Sequence, residues 1–219
     1  TAIAGTGSLT IRASTTGRNI VIGTAPAAGA LHIDAGEFVR LQNGHSSITF
    51  GSAAMTGDLT IGAGITLLDP TTVTMMVGGG GEVFIQNGLA GSGNASLTIN
   101  GSGSTTHLAG NVSMPGNIVI DDTIIVTGDT TITTTAGGNI HLGNNGVISD
   151  PTVWTVNGDG NGTWDLHLVS AAGATIAGQA GNVEAFDQFT ASGTTEVRLH
   201  GMRANSIDLD LNGTTGALL

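Results

Sequence analysis

The sequence is distinguished first by residue types that it lacks or uses rarely. Its 219 residues include no cysteine and no tyrosine, and all five cationic side chains are arginine, so lysine is absent as well. The absence of cysteine excludes a disulfide-stapled scaffold and a thiolate metal centre. Aromatic residues make up 3% of the chain and proline occurs four times. A core built on large aromatic rings is therefore not expected.

Positive charge is equally scarce. Charged residues make up 10% of the chain and the net charge is −11. A protein that binds nucleic acid needs a basic surface to neutralise phosphates, and five scattered arginines do not supply one. No apolar run approaches the roughly 20 residues that a membrane-spanning helix requires. The composition argues against nucleic acid as a partner and predicts no membrane span.

Glycine is abundant, with 37 residues, and hydrophobic residues reach 39%. Glycine, asparagine and aspartate separate short runs in which apolar residues alternate with threonine, histidine or aspartate, a pattern typical of strands with one buried face. Disorder is not expected from such a sequence. Weak helical character is confined to 35–42. The predicted strands include 8–12, 19–22, 47–50, 82–85, 96–99, 117–120, 130–133 and 207–211.

One six-residue segment occurs twice, at positions far apart in the sequence. Segment 57–62, Gly-Asp-Leu-Thr-Ile-Gly, returns as 138–143, Gly-Asn-Ile-His-Leu-Gly, and Asp-Pro-Thr follows each copy at the same distance. Self-similarity at fixed spacing predicts a repeat architecture in which each unit buries its apolar face against its neighbours. Because the interval between the copies divides naturally into four units, we expect about 20 residues per turn of the chain.

Two architectures fit these strands. A β-sandwich of antiparallel hairpins remains possible because Asn-Gly pairs, the preferred hairpin turns, begin at positions 43, 87, 100, 157 and 212. A parallel β-solenoid is favoured because the apolar runs are short and similar, long return connections are missing, and aromatic anchors are few. We expect residues 1–219 to form a single all-β domain, a parallel β-helix of about eleven coils and roughly 50 Å in length.

The same segments carry a family resemblance, and they cover most of the chain. They resemble filamentous-haemagglutinin-type repeats, which occur in very large secreted bacterial surface proteins. The resemblance implies a right-handed β-helix, export across the outer membrane, and a role in adhesion or surface architecture. The amino-terminal secretion domain of that family, with its Asn-Pro motifs, is missing from this sequence. The segments that carry the resemblance most clearly are 17–23, 29–37, 41–51, 104–110, 117–120 and 128–133.

The best candidate for a metal site is the segment Asn-Gly-Asp-Gly-Asn-Gly at 157–162. Asn157, Asp159 and Asn161 place oxygen ligands at alternate positions, Asp165 follows, and a glycine stands at the sixth position, as in a calcium-binding loop. The twelfth position is Leu168 instead of the bidentate glutamate, so the second half of the motif fails. The same residues are also ordinary turn formers. No other cofactor is predicted.

Other chemistry-bearing residues have simpler interpretations. Asp121–Asp122 and the alternating pair Asp208 and Asp210 could each bring two carboxylates together, as in β-helix enzymes that cleave polysaccharides. We expect instead that the first pair caps a turn and that the second faces solvent. Threonine arrays such as 130–135 lack the regular Thr-x-Thr spacing of water-ordering surfaces and are expected to be strand formers. Three histidines, each placed between two apolar strand residues, should point outward: His32, His141 and His167.

The ends of the chain complete the functional expectation. Neither end shows a polar cap, although solenoids usually carry one. We therefore expect an excerpt of a longer chain or a unit that stacks end to end. The predicted function is a structural or adhesive rod at the bacterial cell surface or outside the cell, without a catalytic centre. Its partners would be further copies or neighbouring repeats and a glycan or cell-surface ligand. The alternatives are a subunit of a head-to-tail extracellular filament and, less favoured, a polysaccharide-active enzyme.

Overall fold

The computed structural model describes residues 2–23, 25, 28–41, 43–62, 64–69, 71–143, 155–160, 163–180, 184–199, 201–210 and 217–218. These residues form an all-β fold with almost no helix. The elements, in chain order, are β1 (Ser8–Ile11), β2 (Ile20–Ile22), β3 (Leu31–Ile33), α1 (Ala35–Phe38), β4 (Ser47–Gly51), β5 (Leu59–Ile61), β6 (Ile65–Leu67), β7 (Thr72–Met76), β8 (Val83–Ile85), β9 (Leu89–Gly91), β10 (Ser96–Leu108), β11 (Val112–Met114), β12 (Ile118–Val126), β13 (Thr130–Thr134), β14 (Ile140–Leu142), β15 (Thr155–Gly158), β16 (Leu166–Ser170), β17 (Ala174–Ala177), β18 (Gln179–Ala180), β19 (Phe186–Ser192), β20 (Glu196–Leu199), β21 (Ala204–Asp210) and β22 (Ala217–Leu218).

Alternation of side chains explains why these segments are strands. In β12, every second residue is buried and the residues between are partly exposed. The same alternation occurs in β5, β8, β11 and β14, where an apolar residue stands on either side of one outward residue. Successive side chains of a strand point to opposite faces, so this spacing gives each strand one apolar face. The predicted strands are confirmed, although those predicted at 96–99 and 117–120 continue to Leu108 and Val126, and position 211 lies outside the described residues.

Every pairing between the described strands is parallel, and the strands form two sheets of 15 and 7 members. The alternative prediction, a β-sandwich of antiparallel hairpins, is therefore wrong for the described residues. The 15-stranded sheet contains two ladders, which are joined because β10 and β12 each run through both. The first ladder is β1, β4, β7, β10, β12, β14, β17, β20 and β22. The second ladder is β3, β2, β5, β8, β10, β12, β15 and β18. The 7-stranded sheet forms the third ladder, which is β6, β9, β11, β13, β16, β19 and β21.

The length of chain between neighbouring strands of the first ladder is uneven. Leu97 pairs with Ile118, and Ile118 pairs with Ile140, so the length of chain between the members of each pair is close to the predicted repeat. In contrast, Leu9 pairs with Ile48 and Ile140 pairs with Thr175, and the chain between the two members of each pair is markedly longer. The predicted period therefore holds for only part of the chain.

The two copies of the repeated segment, 57–62 and 138–143, are not structurally equivalent. The first copy contains β5, a strand of the second ladder, whereas the second copy contains β14, a strand of the first. The six residues form a corner followed by a strand whose side chains point inward, outward and inward, and such units occur in all three ladders. The Asp-Pro-Thr of the second copy lies outside the described residues.

The core consists mainly of stacked aliphatic side chains, as the composition predicts. Isoleucine, leucine and valine at the inward positions are almost completely buried. The four buried phenylalanines lie towards the two ends of the sheets. Phe38 and Phe50 stack with ring centroids 5.8 Å apart, and Phe186 and Phe189 meet at 6.2 Å.

The short helix α1 lies in the segment with predicted helical character and follows β3, the terminal strand of the second ladder. Asp34 and Glu37 form a capping box: the Asp34 carboxylate accepts from the Glu37 backbone N–H, and the Glu37 carboxylate accepts from the Asp34 N–H. Phe38 enters the core, while the two acidic residues remain exposed. At this edge of the second ladder, α1 therefore combines one buried aromatic residue with an exposed polar turn.

Candidate functional sites

The predicted calcium ligands are placed on different parts of the fold. Asn157 lies in β15 of the second ladder, beside Ile125, and is 7% exposed. Asp159 follows this strand, and its Oδ1 accepts a hydrogen bond from the indole nitrogen of Trp164 at 2.7 Å. Asn161 lies outside the described residues.

Asp165 directly precedes β16 and links three neighbouring strands of the third ladder. Its backbone N–H donates to Asp129 Oδ1 at 3.0 Å, and its own Oδ1 accepts from the Gln188 N–H at 2.9 Å. Within the described ranges, no three histidine, cysteine, aspartate or glutamate side chains converge as a metal site would require. Calcium binding at 157–165 therefore stays a prediction, and the contacts of Asp165 assign it a structural role.

Asp165 is one member of a set that we call the corner chains. In each link, an asparagine or aspartate directly before a strand accepts a hydrogen bond from the backbone N–H at the start of the neighbouring strand. Such bonds satisfy backbone donors at the corners, where the ladder hydrogen bonds are interrupted. The links are Asn19 with Asp58 (3.0 Å), Asp58 with Glu82 (3.2 Å), Asn111 with Thr131 (2.8 Å), Asn117 with Asn139 (2.8 Å), Asn139 with Ala174 (2.8 Å), Asp129 with Asp165 (3.0 Å) and Asp165 with Gln188 (2.9 Å).

Asp121 and Asp122 do not form a carboxylate pair. They are consecutive residues within β12, so they point to opposite faces of the strand. Asp121 is partly exposed, whereas Asp122 is completely buried. The expectation that this pair caps a turn is wrong, because the strand continues through both residues.

The Asp122 carboxylate is enclosed by hydrogen-bond donors. Its Oδ2 accepts from Ser104 Oγ at 2.9 Å and Thr106 Oγ1 at 3.0 Å, and its Oδ1 accepts from the Thr123 N–H at 2.9 Å. Burial raises the pKa of Asp122 above its ordinary value, the three hydrogen bonds oppose that rise, and the neighbouring charge of Asp121 adds to it. The carboxyl group is therefore easier to protonate in the folded chain than in the unfolded one.

A break in strand register makes room for this carboxylate. Asn100 pairs with Asp121 and Thr105 with Thr123, so four residues of β10 lie opposite the single residue Asp122. Gly101 stands in this bulge, and a Cβ atom there would collide with the Asp122 carboxylate and with Ser104. Only glycine leaves the space that the buried acid occupies.

The third ladder carries a polar outer face. Asp208 and Asp210 are both exposed, which confirms the expectation that they face solvent. On the neighbouring strands, His167 Nδ1 and Thr190 Oγ1 lie 2.7 Å apart, and Asp208 pairs with Thr190 on its other side. In a hydrolytic triad, the base lies between the nucleophile and the acid. Here the hydroxyl lies in the middle, so the acid does not orient the imidazole.

Of the other two histidines predicted to point outward, His141 follows the alternation, whereas His32 lies in β3, where all three residues are partly exposed. His141 stands between two buried residues of β14 and is partly exposed, and burial lowers its pKa. On the second ladder, His107 stacks on Phe84 with ring centroids 4.6 Å apart and an interplanar angle of 9°. Its Nε2 lies 3.4 Å from Glu82 Oε2. In the outward group of Phe84, His107 and Glu82, an aromatic ring and a carboxylate therefore lie together on one strand face.

An open cleft of about 690 Å³ lies beside α1. Its volume is within the range of small-ligand sites. The floor is apolar, with Ile3, Ile11, Ile33 and Leu41, and the rim carries Asp34, Glu37 and Arg40. Both acids are engaged in the capping box, so the cleft does not offer a converging set of free polar groups.

Comparison of the chain with known protein families, characterised proteins and solved structures finds no match. Within the described ranges, no helix is long and apolar enough to cross a membrane.

Proposed function

We propose that this chain is a segment of a structural, adhesive rod, folded as a right-handed parallel β-helix. The order in which the chain visits the ladders supports this fold. β4, β5 and β6 belong to the first, second and third ladders, and β7, β8 and β9 repeat that order one level further along. Right-handed winding follows the strong preference of parallel crossover connections.

The nine strands of the first ladder correspond to about nine coils instead of eleven, because two coils are much longer than predicted. At about 4.8 Å per strand, the stack is roughly 40 Å long.

The observation that carries the proposal is the axial direction of the polar interactions. Seven described links of the corner chains join one strand to the next along the stack. Buried aliphatic side chains form one continuous core in the same direction. Polar side chains that could build a reactive site are used to hold neighbouring coils together, which suits a rigid spacer.

Location and partners are proposed from the family resemblance and the composition. The likeness to filamentous-haemagglutinin-type repeats supports an extracellular rod on a bacterial surface that binds a glycan or another cell-surface ligand. The part of the composition that bears on this location is the absence of both lysine and cysteine. The outward group of Phe84, His107 and Glu82 is the first place to test for a glycan, since a ring and a hydrogen-bonding acid lie side by side.

A second candidate function is a subunit of a head-to-tail filament. Several large hydrophobic side chains are exposed at opposite ends of the stack. Ile3, Val39 and Leu68 are 42%, 53% and 44% exposed near α1, and Ile207 on the terminal strand β21 is 48% exposed. Exposed apolar groups of this kind mark association surfaces. A β-helix enzyme that cleaves polysaccharides is less favoured, because Asp121 and Asp122 point to opposite faces of β12.

The rod proposal is tested by small-angle X-ray scattering and electron microscopy of the purified chain. We expect an elongated particle with a constant cross-section at low concentration. A compact, spherical particle would refute the rod. Sedimentation over a range of concentrations then separates the two candidates. A filament subunit forms longer particles as concentration rises, and the Ile207→Asp variant abolishes that growth, whereas a rod segment stays monomeric in both forms.

A further inference from the structure

We propose that one half of the first ladder is an ice-binding face. The outward positions of four neighbouring strands, β1, β4, β7 and β10, carry a hydroxyl residue at both the first and the third place. Their sequences are Ser-Leu-Thr, Ser-Ile-Thr, Thr-Val-Thr and Ser-Leu-Thr. We call these eight outward residues the hydroxyl array. The proposal is independent of whether the chain acts as an adhesive rod.

The register makes the array regular. Thr10 pairs with Thr49, Thr49 with Thr74, and Thr74 with Thr98, so four threonines form one straight file across four strands. The serine and threonine residues two positions earlier in each strand follow the same register and form a second file. Sequence spacing conceals this order, because the four strands are far apart in the chain and their separations are unequal.

Backbone geometry fixes the dimensions of the array. Neighbouring strands are about 4.8 Å apart, and alternate residues of one strand are about 6.7 Å apart. The threonine side chain is stiff at χ1, so the threonine file presents its methyl and hydroxyl groups in a restricted set of orientations. A rigid two-dimensional grid of hydroxyls matches a solid with its own fixed grid of oxygen atoms better than it matches a flexible chain.

The hydroxyls of the threonine file are available to water. None of these four side chains makes a hydrogen bond with a described residue. Threonines elsewhere behave differently: Thr71, Thr130 and Thr175 each donate to a backbone carbonyl. In the second file, Ser96 Oγ accepts from the Asn117 N–H and keeps its own hydrogen to donate.

The character of the array favours ice over other solids. Its eight positions include no charged and no aromatic residue, although the chain has a net charge of −11. A surface for crystalline sugar would be expected to offer rings for stacking, and one for mineral would offer carboxylates. The array ends where Val119 and His141 continue the threonine file.

The test uses the whole chain and measures inhibition of ice recrystallisation together with thermal hysteresis. The double variant Thr49→Val, Thr74→Val keeps shape and branching but removes two central hydroxyls. We expect the wild type to slow recrystallisation and shape ice crystals, and the variant to lose most of that effect. The matched control is Thr131→Val, Thr133→Val, which makes the same change at outward positions of the third ladder and should retain the wild-type effect.

Circular dichroism and thermal unfolding of both double variants establish that they fold. Because threonine and valine are both good strand formers, their melting temperatures should be close to that of the wild type. The proposal is overturned if the wild type neither slows recrystallisation nor shapes ice. An equal loss in the two double variants would also overturn it, since the effect would then not depend on the hydroxyl array.

Discussion

Asn117 and Asn139 stand directly before the paired strands β12 and β14, and the side-chain oxygen of Asn117 accepts a hydrogen bond from the backbone N–H of Asn139 at 2.8 Å. Asn139 then accepts the N–H of Ala174 at the same distance. One residue type thus closes the gap between strands at successive levels. Because each bond satisfies a backbone donor at or near the start of a strand, the corner chains contribute to stability as well as to register.

The first prediction concerns Asn139. The Asn139→Ala variant leaves the Ala174 N–H without its acceptor, and we expect a loss of about 1–2 kcal/mol in the free energy of unfolding. The Asn139→Asp variant should retain most of the wild-type stability, because Asp58, Asp129 and Asp165 perform the same task in other corners. Urea denaturation followed by circular dichroism measures both.

The matched control for this prediction is Asn94→Ala. Asn94 is exposed, and its side chain makes no hydrogen bond with a described residue. Surface changes of this kind usually alter stability by less than about 0.5 kcal/mol. If Asn139→Ala is no more destabilising than Asn94→Ala, the corner chains do not contribute as the geometry suggests.

Much of this fold is predictable from sequence because strand alternation is a local property. The apolar–x–apolar units and the glycine, asparagine or aspartate before them indicate short strands with one buried face, as in β5 and β14. Parallel stacking also follows from the repetition of such units. What sequence does not reveal is which strands are neighbours. Leu9 and Ile48 pair across a long stretch of chain because β3 and α1 are inserted within one coil.

The candidate sites were harder to predict because their chemistry depends on register. Asp122 belongs to an Asp-Asp dipeptide that resembles a turn, yet four residues of β10 bulge around it and bury it. The calcium-like spacing of Asn157 and Asp159 is a local pattern, whereas the partners of Asp165 belong to other coils of the stack. The recurring asparagine or aspartate before each strand was the sequence signal for the corner chains.

The second prediction is a pH dependence that arises from Asp122. Burial raises the pKa of this carboxyl group above its ordinary value near 3.8, so the folded chain binds the proton more tightly than the unfolded chain does. The stabilisation by the bound proton is fully present below that ordinary value. It is lost as the pH rises through the higher pKa of the folded state. Above that pKa, the folded protein bears the cost of a buried charge.

The Asp122→Asn variant removes this titration while it keeps an oxygen acceptor for Ser104 and Thr106. We expect the variant to gain stability relative to the wild type as the pH is raised from 4 to 8, measured as the difference between their urea midpoints. The control is Asp208→Asn, which removes a carboxylate at an exposed position and leaves the buried one unchanged; the change for Asp122→Asn should exceed the change for this control. A difference for Asp122→Asn that does not change with pH would contradict the assignment.

The third prediction concerns calcium. Asp159 accepts a hydrogen bond from the Trp164 indole, and Asp165 accepts one from the Gln188 N–H. A cation at these carboxylates would therefore compete with existing hydrogen bonds. We expect the fluorescence emission of Trp164 and the melting temperature to be unchanged by calcium or by chelator. Trp154 is the other tryptophan of the sequence, so the Trp154→Phe variant isolates the signal.

A calcium-dependent shift in emission that Asp159→Asn abolishes would establish the site. A shift that persists in that variant would indicate binding elsewhere on this acidic chain. Magnesium at the same ionic strength is the control for screening of surface charge.

The fourth prediction uses two glycines in different surroundings. A Cβ atom on Gly138 would collide with the backbone of Gly116 and Asn117 in the neighbouring coil, whereas a Cβ on Gly79 would meet no atom within 4 Å. The Gly138→Ala variant forces apart two coils at a corner, and overpacking of this kind costs about 1–3 kcal/mol. The backbone at Gly79 is not in the left-handed region, so Gly79→Ala should be neutral or stabilise by up to about 1 kcal/mol through the unfolded chain. Urea midpoints of the two variants measure the contrast. Equal stability of the two would mean that neighbouring coils can separate at the corners without cost, which is incompatible with a rigid stack.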